Sequence, residues 1–250
     1  MTTVLKLGGS VVTDKDSRET VDQDSLARAA AAIADAGWED LVVVHGGGSF
    51  GHPNAADRGV SRTTGTADAA AVRAIHRAMG RLVDAVTDAL SETGVPAVPV
   101  RPFSAGYRDA DGSVTLATDQ IRAMLAENFV PVLHGDVFTT VGEGATIVSG
   151  DELVVTLATA LDADRVGLCS TVPGVLDDEE AVVPTISDYD AVEAILGGSE
   201  STDVTGGMAA KVQALLDAGV PASIFDLEGL DDFLDGGSPG TLVERRRTRG

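Results

Sequence analysis

The feature that most narrows the possible folds is a repeated pairing: a short apolar run followed at once by glycine. Val4–Leu7 leads into Gly8-Gly9-Ser10, Leu41–Val44 into His45-Gly46-Gly47-Gly48-Ser49-Phe50-Gly51-His52-Pro53, and Val130–Leu133 into His134-Gly135-Asp136. Arg165–Cys169 runs likewise towards Ser170-Thr171-Val172-Pro173-Gly174. Short apolar runs bounded by polar residues and glycine are what strands buried on both faces look like in sequence. Between them lie stretches with helical spacing. An alanine-rich one, capped by Asp24 or Ser25, closes at Gly37. A long one is expected to start at Thr66; its apolar residues Val72, Ile75, Met79, Leu82, Val86 and Leu90 step by three and four until Gly94 and Pro96 stop it.

Further along, Val98–Val100 reads as a strand, and Asp111-Gly112 marks a hairpin turn between Tyr107 and Leu116. Thr118 or Asp119 caps an expected helix to Asn128, and a second hairpin turns around Gly142–Gly144. Ser149-Gly150-Asp151 opens a helix to about Leu161, Tyr189–Leu196 reads as helical, and Thr205-Gly206-Gly207-Met208 opens a helix that ends at Gly219. Ala222–Phe225 and Thr241–Val243 complete the strands, while Asp14 to Thr20 reads as an exposed loop and the arginine-rich tail as a solvated terminus. Strands alternating with helices predict an α/β sandwich around a mainly parallel sheet.

Charge removes whole classes of function. The net charge of −21 argues against a nucleic-acid binder, which needs a basic footprint, and against adsorption to an anionic membrane. No apolar run approaches the roughly 18–20 residues of a membrane span, and the N-terminus has no secretory pattern. The single cysteine, Cys169, permits no internal disulfide, which fits a reducing cytoplasm. Of the 18 basic residues only Lys6, Lys15 and Lys211 are lysines, where an ordinary chain of this length carries on the order of a dozen. Strong acidity, lysine depletion and few aromatics point to a protein that works in concentrated salt. At 1 M salt the Debye length is about 3 Å, and surface repulsion is screened.

The three glycine turns at 8–10, 46–51 and 206–207 suit a polyphosphate, because glycine lets phosphate approach the backbone and lets N–H groups converge on it. The surviving lysines stand beside these turns. Lys6 precedes Gly8, Lys15 lies in the loop beyond, and Lys211 is one helical turn past Gly207. Phosphoryl transfer needs compact cations where charge spreads over the moving oxygens. His52, directly after its glycine turn, suits a substrate phosphate; His45, His76 and His134 read as structural. Gly46, Gly48 and Gly51 match G-x-G-x-x-G, but a helix is not expected to begin within these glycines and no acid-ended strand follows. The nicotinamide reading is therefore rejected. There is no G-x-x-x-x-G-K-[ST] and no convincing metal cage or Ser-His-Asp set.

The motifs Lys6-Leu7-Gly8-Gly9-Ser10, His45 through Pro53, His134-Gly135-Asp136, Ser149-Gly150-Asp151 and Asp203 through Met208 to Lys211 resemble those of the amino-acid-kinase superfamily, most closely its archaeal isopentenyl phosphate kinases. The resemblance implies a three-layer αβα sandwich in which residues 1–145 or so bind the phosphoryl acceptor and about 146–250 the nucleotide. It implies transfer from ATP, with Mg²⁺, to isopentenyl phosphate, and a homodimer. Carried over residue by residue, Lys6 and Lys211 contact the ATP phosphates, Asp151 orients both lysines, and Lys15 meets the moving phosphoryl group. Gly8, Gly9, Ser10 and Gly48 supply N–H groups. Thr171 and Gly207 lie on the nucleotide side, and Gly47, His52 and Gly150 hold the acceptor phosphate. One departure stands out: many relatives carry T-D-V-D-G where this chain reads Ser170-Thr171-Val172-Pro173-Gly174, so adenine-side contacts do not carry over there.

A prenyl acceptor calls for an apolar pocket, for which Ile75, Met79 and Val83 are candidates, although core packing explains that stripe equally well. A fosfomycin-type phosphonate kinase would share the histidine, and a carboxylate kinase would need polar groups for an amino or amide moiety. A nucleotide sensor without catalysis would have no need of Lys15.

Overall fold

The computed structural model of the chain describes residues 1–190 and 207–245. The N-terminal elements are β1 (Thr2–Leu7), α1 (Gly9–Val12), α2 (Gln23–Asp35), β2 (Asp40–His45), α3 (Gly48–Ala56), α4 (Ala69–Glu92), β3 (Ala97–Pro99), α5 (Pro102–Ala105), β4 (Gly106–Arg108) and β5 (Val114–Leu116). They are followed by α6 (Thr118–Ala126), β6 (Val130–His134), β7 (Asp136–Thr140), β8 (Gly144–Val148), α7 (Gly150–Ala160) and β9 (Arg165–Ser170). Last come β10 (Thr185–Ile186), α8 (Gly207–Ala218), β11 (Ala222–Asp226), α9 (Leu230–Leu234) and β12 (Thr241–Val243).

Eight strands form one sheet in the order β10-β12-β11-β9-β1-β2-β6-β3. Every neighbouring pair is parallel except β11 and β12. Alternate side chains of its strands enter opposite layers, as the two-residue strand period demands. Val4, Val42, Val44, Leu133 and Val166 pack with Leu153 and Leu157 of α7, whereas Leu5, Leu7, Leu41, Val43 and Val132 pack with Leu26 and Ile33 of α2 and Leu82 and Val86 of α4. The fold is thus the expected αβα sandwich. The two predicted hairpins form, and they join into a second sheet, β5-β4-β7-β8, beside the first. None of the helices searched among the described residues is long and apolar enough to cross a membrane.

Several local expectations need correction. The first cap is Asp22, whose carboxylate accepts from Ser25 N at 3.0 Å, so Ser25 is the bonded partner and Asp24 lies inside the helix. The long helix starts at Ala69 under Asp68, which accepts from Ala70 N; Thr66 pairs instead with Ala145 in an isolated bridge. Helix α6 begins after Ala117, whose methyl group offers no acceptor, so the helix has no side-chain cap and Thr118 and Asp119 lie inside it; the Ala117 N–H donates to Ala105 O at 2.8 Å. The stretch 46–57 is mostly helix, α3, where sequence periodicity indicates only a turn. The part of Tyr189–Leu196 beyond Asp190, and Thr205 and Gly206, lie outside the described residues.

Helix α3 forms despite Pro53 in its interior. Proline cannot donate to the carbonyl four residues back, here Ser49 O. That oxygen accepts instead from Glu19 N–H at 3.1 Å, so the orphaned acceptor is satisfied from outside the helix, as buried backbone groups require. The donor belongs to the loop that carries Lys15.

Candidate active site

Four strand ends meet at one edge of the large sheet and are stitched in sequence. Gly8 N–H donates to Cys169 O at 2.8 Å, Gly46 N–H to Leu7 O at 3.0 Å, and Gly135 N–H to His45 O at 3.1 Å. The turns after β1 and β2 touch backbone to backbone: a Cβ on Gly9 would lie 2.4 Å from Gly48 N, and one on Gly46 would lie 2.5 Å from Gly9 N. Only glycine fits either position. Ligand-binding crevices of open α/β sheets lie at such carboxyl ends.

The N-terminus of α7 closes over this edge through a capping box, in which Ser149 Oγ accepts from Glu152 N and Glu152 accepts from Ser149 N. The box aims Asp151 at Lys6, and the Lys6 Nζ–Asp151 Oδ1 distance is 2.5 Å with both side chains largely buried. Burial works against the Asp151 charge, but Lys6 and Lys211, the Lys6 hydrogen bond and Arg62 outweigh it and hold the carboxyl below the usual range. Helix α8, which packs beside α7, brings Lys211 within electrostatic reach of the same carboxylate.

These parts enclose a cleft of about 770 Å³. Its lining includes Lys6, Gly8, Gly9, Ser10, Lys15, Gly47, Gly48, His52, Gly150, Asp151, Thr171 and Lys211. Of the residues assigned to phosphate or catalysis in the sequence, Gly207 is the one outside the lining among the described residues; it begins the helix that presents Lys211. Four permanent cations, Lys6, Lys15, Arg62 and Lys211, line the cleft against two carboxylates, Asp136 and Asp151. In a chain with a net charge of −21, this local excess of positive charge, with helix N-termini at Gly48 and Gly150, defines a site for a multiply charged anion.

Part of the cleft wall is apolar. Val60 and Ile75 belong to one buried cluster with Ala55 and Ile147 packed against it, and all four line the cleft with Met79. Ile75 and Met79 therefore face the site as expected. Val83 does not; it is fully buried between the sheet and α2.

Three features escaped sequence reasoning. Arg62 reaches Glu152 Oε2 through Nε at 3.2 Å. Asp136, buried at the cleft wall, pairs with His76 Nδ1 at 2.7 Å and accepts from Val137 N. Burial raises the Asp136 carboxyl, and its hydrogen bond raises the His76 imidazole. His45 and His134 stack with ring centroids 5.5 Å apart, each with Nδ1 against the carbonyl of the next residue and Nε2 buried without a hydrogen-bond partner among the described residues. Burial lowers their imidazoles to about 4 and about 3 respectively. Both are structural, as their sequence context indicated. The signal that could have exposed His76 and Asp136 is weak, since 60 residues separate them.

An anion-binding cleft of apposed lysines and glycine turns on an αβα sandwich defines a phosphotransferase-type fold. The chain belongs to the amino acid kinase family, whose model matches residues 1–224. It is 63% identical over 242 residues to the isopentenyl phosphate kinase of Haloferax volcanii, covering 96% of this chain and 97% of that one. It is 36% identical over 228 residues to the enzyme of the same name from Methanothermobacter thermautotrophicus, at 85% coverage of both. A crystal structure described as isopentenyl phosphate kinase superposes with a TM-score of 0.83 at 28% identity, covering 97% of this chain and 100% of that chain.

Proposed function

We propose that this protein transfers the γ-phosphoryl group of ATP to isopentenyl phosphate, giving isopentenyl diphosphate and ADP. The observation that carries the reading is a single cleft lined both by ammonium groups and glycine turns and by the apolar side chains Ile75, Met79, Val60 and Ile147. A small phosphate ester with a hydrocarbon tail matches that combination. The 63% identity to a kinase of that name supports the same acceptor.

In this reading Lys6 and Lys211 hold the ATP phosphates and Asp151 fixes both lysines. Gly8, Gly9, Ser10 and Gly48 direct N–H groups at the phosphates, and Thr171 and Gly207 flank the nucleotide. Gly47, His52 and Gly150 seat the acceptor phosphate, and Lys15 follows the transferring group. The acceptor, with a second pKa near 6, is already mostly a dianion at pH 7 and needs no general base. The barrier is repulsion between two anions brought in line, which positioning and positive charge relieve. Bound Mg²⁺ would add neutralising charge. The described residues contain no group of three His, Cys, Asp or Glu side chains able to hold a metal, and hard ions of this kind are commonly held through substrate phosphates. The half before about residue 145 then serves the acceptor and the half after it the nucleotide, in a cytoplasmic homodimer.

The test is ADP release in molar KCl with isopentenyl phosphate, dimethylallyl phosphate, fosfomycin and acetylglutamate offered side by side. Isopentenyl phosphate is expected to give the highest kcat/KM, by at least tenfold over fosfomycin and acetylglutamate; preference for either of those refutes the assignment. The charge pattern adds a second expectation. The melting temperature should rise by about 10 °C or more between dilute buffer and 2–3 M KCl, as screening removes self-repulsion. Scanning fluorimetry across that series checks it, and a constant value would exclude salt adaptation.

A further inference from the structure

Among the described residues, Arg62 is the one cleft cation to which the kinase reading gives no task. It lies on the segment between α3 and α4, downstream of His52. That segment is fastened to β8: Ile147 N–H donates to Ser61 O at 2.9 Å, and Thr66 and Ala145 exchange two backbone hydrogen bonds. Arg62 is thereby held on the wall that leads into Gly150, away from Thr171 on the nucleotide side.

Its anchor is already committed elsewhere. Glu152 Oε1 lies 2.9 Å from Arg108 Nη1, and Arg108 is almost fully buried. Glu152 Oε2 accepts from Ser149 N at 2.9 Å as well as facing Arg62 Nε at 3.2 Å. One carboxylate thus sits between two guanidinium groups, which leaves a net positive charge beside the cleft. Arg108 spends its other donors on Gly112 O, Ile147 O and Thr146 Oγ1. Apart from this ion pair Arg62 has no recorded hydrogen bond among the described residues, and its side chain is 42% exposed. Its two Nη groups remain available to a ligand while Nε stays on Glu152. A planar guanidinium presenting two donors matches a phosphate edge in a way that a lysine does not.

The geometry points to Arg62 as a further substrate-binding residue, one that engages the phosphate of the acceptor, resting on Glu152 and turning its Nη groups to the phosphate monoester. This rests on the phosphate-acceptor reading above. It makes acceptor binding depend on a guanidinium contributed by the segment after α3, in addition to His52.

The experiment compares wild type, Arg62→Gln and Arg62→Lys in molar KCl. Steady-state kinetics are measured with isopentenyl phosphate and ATP, and melting temperatures with isopentenyl phosphate alone. Arg62→Gln is expected to raise the acceptor KM at least tenfold, to leave the ATP KM within threefold, and to lose most of the thermal shift that isopentenyl phosphate gives wild type. Arg62→Lys should recover part of both. An unchanged acceptor KM in Arg62→Gln overturns the assignment. So does an equal rise in both KM values with a lowered ligand-free melting temperature, which would mean that Arg62 only ties its segment to α7. Wild type that fails to use isopentenyl phosphate overturns the parent reading, and this one with it. An active wild type with an indistinguishable Arg62→Gln overturns this one alone.

Discussion

Lys15→Met is expected to lower kcat about 100- to 1000-fold while leaving both KM values within about threefold. The size follows from losing one preorganised charge aimed at a transition state, which typically costs two to three powers of ten. The split follows from the placement of the lysines. Lys6 is pinned to Asp151 at 2.5 Å and Lys211 acts on the same carboxylate, which in the proposed reading assigns both to ground-state ATP binding. Lys15 stands on the loop between Thr13 and Val21, which themselves pair in an antiparallel bridge, and its side chain is exposed at the cleft mouth. A cation held only by its loop interacts most where charge develops during transfer, and that pattern lowers kcat and kcat/KM together. Rapid-quench measurement of a single turnover checks it. A normal transfer rate would remove Lys15 from the reaction.

Acid is expected to unfold the protein between pH 6.5 and 4 even in molar salt, with His45 and His134 the main cause among its histidines. In the unfolded chain both imidazoles take up protons near pH 6.5. In the folded chain burial delays this to about pH 4 for His45 and about pH 3 for His134. Below pH 6.5 the unfolded state therefore binds more protons, and stability, complete above that pH, declines as pH falls towards 4. For His45 alone the loss at pH 4 is about 3 kcal/mol, at roughly 1.4 kcal/mol per pKa unit. His76 works in the opposite sense, since the hydrogen bond to Asp136 raises its pKa and its contribution is present below pH 6.5. One such group does not offset two. Denaturant melts at pH 7, 6, 5 and 4.5 measure the slope, and His134→Gln should flatten it by close to one proton. Ring ¹⁵N shifts assigned to His45 and His134 give an independent reading if that variant fails to fold: both are expected to be still neutral at pH 5, and titration of these two near 6.5 would refute the account.

The central sheet was legible because its strands are apolar runs closed by glycine, a pattern set by burial on both faces and by close backbone approach. The cleft residues were legible for a related reason: glycine, lysine and histidine beside strand ends have few other uses, especially where lysine is so scarce. Helix starts were less so, since Asp22 and Asp24, or Thr66 and Asp68, present equivalent oxygens two residues apart and only the course of the chain selects one. Helix α3 was hidden by its glycines and by Pro53, whose missing hydrogen bond is compensated from a loop 30 residues upstream in sequence. The Arg62–Glu152 contact and the His76–Asp136 pair were invisible because each joins residues on elements distant in sequence. Val83 was a pocket candidate because, four residues after Met79, it lies only about 40° further round the helix; it sits one turn further along, where that face packs into the core.

The hydrogen bond from Glu19 to the carbonyl above Pro53 has a consequence for how substrates are judged. It ties the backbone of the Lys15 loop to the helix on which His52 rides, and Asn54 reinforces the tie by donating to Glu19 Oε1 at 2.7 Å. Recognition and reaction therefore share a mechanical joint. If His52 seats the acceptor and Lys15 follows the transferring group, as proposed, a compound that seats badly against the imidazole is expected to be slow as well as weakly held, so that a single misfit is penalised twice.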